Sequence, residues 1–397
     1  MKPRVLFLSG DLGLGGAAIF VLNICDGLRA RGNWEPIAGV FYRLGEVGEQ
    51  VRADGHQLLG PISNAWIQEE YIEGMFAQCA AKRPSVVVAN LGAETYDFLR
   101  YVPTGVLRVG IVHSDQECVY RVAELHAEWL DLVVCVSEHS VKELVHRPKL
   151  AGVEIKSISC GVPIAARTRQ ATSGRLRVLY LGRVVEEQKR ASMLSRIIRQ
   201  SVERCEDIEW TIIGDGPDLP QLRSELADLN DAVEFTGPVD YRSVPDRVPD
   251  HDVYFLCSDY EGLPLSLLEA MSAGLVPVVS DLRSGISEVV NEGNGIKVNP
   301  SNESDYVDAL VALATDRAKL EVLSVAAREK VVRDYSVQAM AERWEHCLHG
   351  AHEAGAIEWR LTQPATVPVI AGKAWYFHPR LRALRRAIKR FKARLGS

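Results

Sequence analysis

The sequence predicts an α/β protein built from two doubly wound, Rossmann-like domains. Short runs rich in Val, Ile and Leu, such as RVLFLS and SVVVAN, recur at intervals that leave room for a helix between them. These runs lack polar alternation, which is typical of parallel strands covered by helices on both faces. The series occurs twice, before and after a polar segment at 166–174. We therefore expect two domains facing a cleft, with ligands at the carboxyl ends of the strands.

Nine runs are predicted as strands. In chain order they are RVLFLS, SVVVAN, LRVGIVH and LDLVVCVS, then LRVLYLGR, IEWTIIG, AVEFTG, DVYFLCS and LVPVVS. A fresh strand is expected to begin at Leu176, directly after the polar segment. The predicted organisation is a first domain at 1–165, a linker at 166–174, a second domain at 175–335, a helix at 336–355, a second linker at 356–379 and a basic amphipathic helix at 380–397.

Length and composition restrict the class of protein. A chain of 397 residues is too long for one ordinary core and fits two domains. The apolar stretch near the N-terminus runs for only four residues before Ser9, which is too short for a signal peptide. No run approaches the roughly 20 apolar residues that span a bilayer. The eight cysteines are scattered singly, without metal-ligand spacing, which indicates buried thiols in a reducing cytoplasm.

A glycine-rich turn, GDLGLGG, follows the first predicted strand and leads into a predicted amphipathic helix that carries Phe20 and Leu28. Such a turn offers free backbone N–H groups and the positive end of the helix dipole to an anion. The spacing is not that of G-x-G-x-x-G, so an anion site and a purely structural tight turn both remain open.

Two cations lie at or shortly after the end of the predicted strand LRVLYLGR. Arg183 ends the run and Lys189 comes six residues later. They could neutralise a diphosphate, because Arg grips phosphate oxygens bidentately and Lys acts as a point charge. The alternative is a solvated basic loop whose cations pair with Glu186 and Glu187.

The stretch EGLPLSLLE places carboxylates at Glu261 and Glu269, at the two ends of an apolar segment. Pro264 suits the first turn of a helix, so Glu261 and Gly262 should lie just before that helix. A carboxylate among apolar neighbours, as at Glu269, either faces water or has a specific partner.

The order of these motifs resembles that of the retaining glycosyltransferases of family 4, which have the GT-B fold. The shared pieces are the glycine loop, VHS at His113, GR followed by K, GDGP, FTG, and two glutamates in the pattern E-x7-E. The likeness covers about residues 1–350 and is most specific over 183–288. It implies transfer of a sugar from a nucleotide-diphosphate sugar to a glycan or lipid-linked acceptor, as in polysaccharide or lipopolysaccharide biosynthesis. It also implies that the helix at 336–355 crosses back to the first domain.

The resemblance assigns residues of the second domain to the binding of one donor. Glu261 would hold hydroxyls of the transferred sugar, and Glu269 would accept hydrogen bonds from the ribose hydroxyls, since an ionised carboxylate accepts two donors. The N–H groups of Gly262 and Leu263 would face the phosphates.

The remaining assignments concern the charge of the diphosphate and the residues that approach the donor from the first domain. Arg183 and Lys189 would stabilise the departing diphosphate, so we expect no metal and no cofactor besides the nucleotide sugar. His113 would reach the sugar from across the cleft, while Gly15 and Gly16 would let the N-domain backbone approach the donor and acceptor. A non-catalytic nucleotide-sugar-binding protein, and a GT-B epimerase or phosphorylase, are the alternatives.

Two departures from the family pattern concern a loop and a turn. Arg190 stands where the family often has a glycine after the lysine, and CGVP stands at 160–163, where the family often has NG followed by an acid.

The C-terminal tail is electrostatically distinct. From Lys373 onward it carries nine Lys or Arg and no Asp or Glu, which leaves 37 basic against 52 acidic residues in the rest of the chain. Apolar residues repeat at helical spacing within it, at Leu381, Leu384, Ile388, Phe391 and Leu395. This pattern indicates either an anchor for anionic lipid at the inner face of the membrane or a helix docked on the acidic body. The acidic body argues against a nucleic-acid partner, and we expect a cytoplasmic protein.

Overall fold

The computed structural model describes residues 2–62, 68–171, 173–349 and 359–361 of the chain. It contains two sheets, both entirely parallel, and this confirms the predicted α/β class with two doubly wound domains. The predicted basic helix at 380–397 and nearly all of the linker predicted at 356–379 lie outside the described residues.

The first sheet has seven strands in the order β3-β2-β1-β4-β5-β6-β7. The strands are β1 (Arg4–Asp11), β2 (Glu35–Arg43), β3 (Gln57–Leu59), β4 (Val86–Leu91), β5 (Leu107–Val112), β6 (Leu132–Cys135) and β7 (Glu154–Ser157). The strand order reverses between β1 and β4. A ligand crevice is expected outside the carboxyl ends of strands at such a reversal.

The second sheet has six strands in the order β10-β9-β8-β11-β12-β13. The strands are β8 (Leu176–Leu181), β9 (Ile208–Ile213), β10 (Val233–Gly237), β11 (Val253–Leu256), β12 (Val276–Ser280) and β13 (Ile296–Val298). The strand that follows the polar segment begins at Leu176, as predicted. The order reverses between β8 and β11, which carry the predicted cations and the first of the two glutamates at their carboxyl ends.

Helices connect the strands and cover the sheets. They are α1 (Gly16–Arg31), α2 (Gly45–Ala53), α3 (Gln68–Lys82), α4 (Ala93–Leu99), α5 (Glu117–Leu125), α6 (Glu138–Leu144), α7 (Glu186–Lys189), α8 (Ala191–Arg204), α9 (Leu219–Glu225), α10 (Val244–Arg247), α11 (Leu265–Ser272), α12 (Gly285–Val289), α13 (Glu303–Thr315), α14 (Arg317–Asp334) and α15 (Val337–Leu348). None of the helices in the described part of the chain is both long and apolar enough to cross a bilayer.

Helix α1 is not amphipathic, contrary to the prediction. Its residues are buried almost continuously from Ala18 to Leu28. The reason is that α15 returns from the second domain and covers the outer face of α1, where a Cβ on Gly27 would lie 2.7 Å from the Cβ of Ala341. Trp344 of α15 packs edge-on against Phe7, with ring centroids 5.5 Å apart.

One apolar cluster joins the two domains. It includes β1 and α1 of the first domain, helix α15, and buried leucines of α11 in the second domain. Because interiors are densely packed, a shared cluster of this kind positions one domain on the other. Helix α15 ends at Leu348, and the remainder of the helix predicted at 336–355 lies outside the described residues from 350 onward.

The polar segment before β8 is tied to the second domain by a buried charge cluster. The guanidinium of Arg169 donates to Oδ1 of Asp252 at 2.9 Å, and Arg177 donates to the same oxygen at 2.9 Å. Asp252 has no exposed surface. A polar composition predicts a linker but cannot predict that one of its arginines is buried, because the partner carboxylate is far along the chain.

Backbone contacts connect the carboxyl ends of the two sheets. Ser114, just after β5, forms an isolated antiparallel bridge with Gly262, in the loop after β11. In addition, the amide of His139 at the start of α6 donates to Oε1 of Glu288 in α12 at 3.1 Å. The strand ends that carry the candidate residues of each domain are therefore brought together.

Candidate active site

The first feature of the site is a buried ion pair between Lys189 and Glu261. Lys189 ends α7, and its Nζ donates to Oε1 of Glu261 at 2.5 Å. The two side chains are only 11% and 8% exposed. The solvated basic loop considered as an alternative is therefore wrong for Lys189, whose partner is neither Glu186 nor Glu187. A cation from the end of α7 and a carboxylate from the loop after β11 therefore meet at the carboxyl ends of β8 and β11.

Arg183 is exposed beside this pair, directly after β8. Its Nη2 donates to the amide oxygen of Gln188 at 3.1 Å, and the Gln188 amide nitrogen donates to the carbonyl of Tyr260 at 3.2 Å. In the described part of the chain no carboxylate lies within ion-pair distance of this guanidinium. The arginine is held near the loop after β11 and keeps an uncompensated charge.

The GDGP turn supports the loop that carries Arg183. A Cβ on Gly214 would lie 1.9 Å from the carbonyl oxygen of Gly182, and a Cβ on Gly216 would lie 2.0 Å from that of Val184. Val184 also donates its amide to the carbonyl of Asp215 at 2.9 Å. The two glycines are required because the backbones after β8 and β9 pack in direct contact.

Glu269 lies on α11, and its carboxylate has a specific partner. The hydroxyl of Tyr241, in the loop after β10, donates to Oε1 of Glu269 at 3.2 Å. Burial raises the pKa of Glu269 to about 7, although the Tyr241 hydrogen bond lowers it in part. Burial makes this carboxylate costly to ionise. Carboxylates with a pKa shifted in this way are typical of functional sites. No local pattern in the sequence indicated Tyr241.

Gly262 is required by the approach of the other domain. A Cβ at this position would lie 2.0 Å from the carbonyl oxygen of His113. The carbonyl of Gly262 also accepts from the amide of Gly285 at 2.9 Å. Helix α11 begins at Leu265 with Pro264 as its N-cap, so the proline precedes the helix rather than lying in its first turn as predicted. The Leu263 side chain is buried.

His113 follows β5 and is held by an asparagine. Asn90 donates its amide to the carbonyl of Ala17 at 3.0 Å, which directs its Oδ1 toward Nε2 of His113 at 2.7 Å. A carbonyl oxygen can only accept, so Nε2 carries the proton and Nδ1 of the neutral ring is an acceptor. Burial lowers the pKa of His113 to about 4. The ring is therefore neutral near pH 7 with a fixed tautomer. Asn90 was not predicted.

The glycine loop after β1 is open above its last two residues. A Cβ on Gly15 or Gly16 would meet no protein atom within 4 Å. Helix α1 begins at Gly16 with no side-chain cap and no acidic residue in its first turn. Free N–H groups and the helix dipole are thus available to an anion, which favours the anion site over the purely structural turn.

Replacing Gly16 with Leu should impair ligand binding without harming the fold. The new side chain meets open space in the protein, and Leu is a good helix former. The nucleotide sugar that the family resemblance predicts should bind at least about tenfold more weakly, roughly 1.4 kcal/mol, with an unchanged unfolding temperature. Calorimetric titration with a nucleotide sugar measures this. Gly174→Leu is the matched control, because a Cβ there also meets nothing but lies before the amino end of β8.

The backbone conformation at Arg190 accounts for the glycine that the family often has at this position. Its backbone is left-handed, with φ 52° and ψ 55°, a conformation that glycine adopts freely and that strains other residues. The side chain compensates by pairing with Asp259, where Nε lies 3.3 Å from Oδ1, and by donating to the carbonyl of Pro300. The arginine thus fastens the loop that leads to Glu261.

Two substitutions separate the backbone strain at Arg190 from its contacts. Arg190→Ala and Arg190→Gly both lose the side-chain contacts, but only glycine relieves the left-handed backbone. We expect the alanine variant to be less stable by about 1 kcal/mol in urea unfolding. This order is diagnostic, because glycine ordinarily lowers stability relative to alanine through the entropy of the unfolded chain. An alanine variant as stable as the glycine variant would show that the backbone is not strained.

No group of three His, Cys, Asp or Glu side chains in the described ranges could hold a metal ion.

Part of the chain is similar in sequence to known glycosyltransferases. Residues 175–316 match the family model described as Glycosyl transferases group 1. The chain is 34% identical over 157 residues to the colanic acid biosynthesis glycosyltransferase WcaL of Salmonella typhimurium, covering 35% of this chain and 38% of that protein. It is 33% identical over 193 residues to the phosphatidyl-myo-inositol mannosyltransferase of Mycobacterium leprae, covering 47% and 50%. The aligned parts thus span about two fifths and one half of these relatives.

Solved structures share the fold over most of this chain. HepE of Anabaena in complex with UDP superposes with a TM-score of 0.73 at 16% identity, covering 88% of this chain and all of that one. The sucrose-phosphate synthase of Thermosynechococcus elongatus gives a TM-score of 0.72 at 18% identity, covering 89% and 100%. The protein therefore has the GT-B fold, as the motif order predicted.

Proposed function

We propose that the protein is a retaining glycosyltransferase that moves a sugar from a nucleotide-diphosphate sugar to a hydroxyl of a glycan or lipid-linked acceptor. The observation that carries the proposal is the buried pair of Lys189 and Glu261, which lies beside the exposed charge of Arg183 at the carboxyl ends of β8 and β11. The match of this domain to Glycosyl transferases group 1 supports it.

Each of the site residues contacts a different part of the donor. The ribose hydroxyls donate to Glu269, and in doing so they replace the Tyr241 hydroxyl. The N–H groups of Gly262 and Leu263 face the phosphates, while Glu261 holds hydroxyls of the sugar. Arg183 and Lys189 neutralise the diphosphate, so charge stabilisation comes from the protein without a metal.

The transfer itself exchanges one bond to the anomeric carbon for another. The bond from this carbon to the phosphate oxygen breaks, the acceptor oxygen bonds to the same face, and the acceptor proton passes to the departing phosphate. His113, neutral and fixed by Asn90, contacts the sugar from the N-domain. The open loop at Gly15 and Gly16 admits donor and acceptor beside it. Positioning of the acceptor against the donor adds to the charge stabilisation by Arg183 and Lys189.

A panel of nucleotide sugars tests the proposal. Release of the nucleoside diphosphate is measured in the presence of EDTA, with and without candidate glycan acceptors. We expect slow hydrolysis of one donor, and faster release with its acceptor. Conversion of the sugar without nucleotide release would identify an epimerase, and a requirement for inorganic phosphate a phosphorylase. Binding without turnover of any donor would identify a binding protein.

We further propose that the enzyme acts in polysaccharide or lipopolysaccharide synthesis in the cytoplasm, at an anionic membrane surface. WcaL is named for colanic acid biosynthesis, which supports the first part. The second part, the membrane surface, rests on the basic tail. The chain that leads to this tail packs on the first domain through Trp359 and Leu361, and the Trp359 ring lies 5.6 Å from that of Phe76. Each cation adds about 1 kcal/mol of attraction near such a surface.

Vesicle sedimentation of the full chain tests this membrane proposal. We expect binding to vesicles that contain phosphatidylglycerol, weak binding to phosphatidylcholine alone, and release by salt. Changing Arg385, Arg386 and Lys389 to Gln should weaken binding by about 3 kcal/mol, or roughly 100-fold. Failure of the full chain to bind anionic vesicles would indicate that the tail docks on the acidic body of the protein.

A further inference from the structure

Asp115 is a carboxylate of the N-domain that the motifs did not indicate. It lies two residues after His113, in the loop between β5 and α5, and is partly buried. Its Oδ1 is buried and has no hydrogen-bond partner within the described part of the chain. Buried polar atoms are nearly always hydrogen-bonded in folded proteins, and exceptions are expected at functional sites.

The position of Asp115 is fixed by the contact between the domains. Its neighbour Ser114 forms the backbone bridge with Gly262, and Gly262 is adjacent to Glu261. The backbone of His113 also lies directly against Gly262. Asp115 thus approaches the site from the first domain at the point where Glu261 approaches it from the second.

The electrostatics agree with this placement. Burial raises the pKa of Asp115, and the nearby Glu261 carboxylate adds to the rise, while its own backbone amide and His139 lower it. Glu261 is compensated by Lys189, but the buried oxygen of Asp115 has no comparable donor among the described residues. A carboxylate without a compensating cation repels a phosphate, and its free oxygen favours a hydroxyl donor.

We propose that Asp115 accepts a hydrogen bond from a hydroxyl of the transferred sugar, opposite Glu261, and so helps to select that sugar. This assignment rests on the proposed function. Asp115 would act on the sugar portion of the donor alone, because the cations that face the diphosphate, Arg183 and Lys189, belong to the other domain.

The test compares two ligands: the nucleotide sugar that the wild type hydrolyses, and the nucleoside diphosphate that it releases. Calorimetry on Asp115→Ala should show about tenfold weaker binding of the nucleotide sugar, the usual effect of one hydrogen bond to a charged group. Affinity for the nucleoside diphosphate should change less than about twofold. Asp115→Asn, which keeps one acceptor oxygen, should fall between wild type and the alanine variant.

The matched control is Glu117→Gln, two residues further on. Glu117 is exposed and pairs with Arg147, so this variant removes a nearby charge outside the site. Asp115→Ala should unfold at the wild-type temperature or above it, because the buried oxygen has no partner to lose. If the alanine variant does not fold, the asparagine variant provides the comparison.

The possible outcomes distinguish failure of the proposed function from failure of the Asp115 assignment. If the wild type binds no nucleotide sugar, the proposed function fails and this assignment fails with it. If the wild type binds one and both Asp115 variants bind it equally well, the assignment alone is overturned. Equal loss of affinity for the nucleotide sugar and the nucleoside diphosphate would also overturn it, by indicating a structural role.

Discussion

Glu261→Gln is expected to lower both the stability of the fold and the turnover of the donor, and a second substitution at Lys189 is expected to restore only the stability. The single variant leaves the Lys189 ammonium buried without its partner. Removing one member of a buried ion pair costs about 3 kcal/mol or more, because the remaining charge is uncompensated. Replacing both charges by neutral groups of similar size is often close to neutral.

Urea unfolding of Glu261→Gln, Lys189→Met and the double variant measures this coupling. Both single variants should be destabilised, and the double variant should lie nearer to wild type than either. Turnover should fall about 100-fold or more in all three, since each lacks a charge that acts on the donor. Glu303→Gln is the control, because its partner Arg196 is 54% exposed and such pairs contribute at most about 1 kcal/mol. Additive single effects would show that the pair is not coupled.

Glu269→Gln is expected to have opposite effects on stability and on function. The folded-state pKa of Glu269 is raised to about 7, above the value of about 4.3 for an unfolded chain. Between these values the folded protein binds more protons than the unfolded one, so this carboxyl lowers stability as pH rises through the window. The neutral amide removes that loss. Relative to wild type, the variant should therefore gain stability between pH 5 and pH 8.

Donor binding should change in the other direction. An ionised carboxylate accepts both ribose hydroxyls, and an amide offers only one acceptor oxygen. We expect about tenfold weaker binding of the nucleotide sugar at pH 8, and wild-type affinity that falls as pH drops below 7. Thermal unfolding at the two pH values and calorimetry measure these effects.

Glu303→Gln provides a control of opposite sign for the stability measurement. The Arg196 hydrogen bond holds the pKa of Glu303 below its ordinary value, so this carboxyl contributes stability that is present at neutral pH and lost in acid. Its removal should lower stability at pH 8 rather than raise it. A Glu269 variant that behaves like the Glu303 variant would contradict the burial of Glu269 in the folded protein.

The sequence predicted the sheets largely because their central strands are uninterrupted apolar runs. Strand β2 was missed, since Pro36 and Gly39 interrupt its pattern and both residues are unfavourable in strands. Strand β7, with the sequence EIKS at the edge of the first sheet, was missed because an edge strand needs little apolar surface. The burial of α1 depends on α15, more than 300 residues away, and could not be read locally.

The candidate site shows a similar division. Motif order indicated Lys189 and Glu261 separately, but their pairing across 72 residues depends on the fold. Asn90, Tyr241 and Asp115 escaped prediction because each is a single polar residue without a local pattern. Their importance becomes visible only through partners, or the lack of one, that other strands supply.

The most direct test of the central claim is the affinity of one nucleotide sugar for Gly16→Leu and for Glu269→Gln, measured against wild type by calorimetry. The first change lies at the start of α1, which follows β1 of one sheet, and the second lies in α11 beside the other sheet. A single donor site between the two sheets predicts weaker binding in both variants, with both proteins folded. Unchanged affinity in either folded variant would contradict the claim that the two domains share one donor.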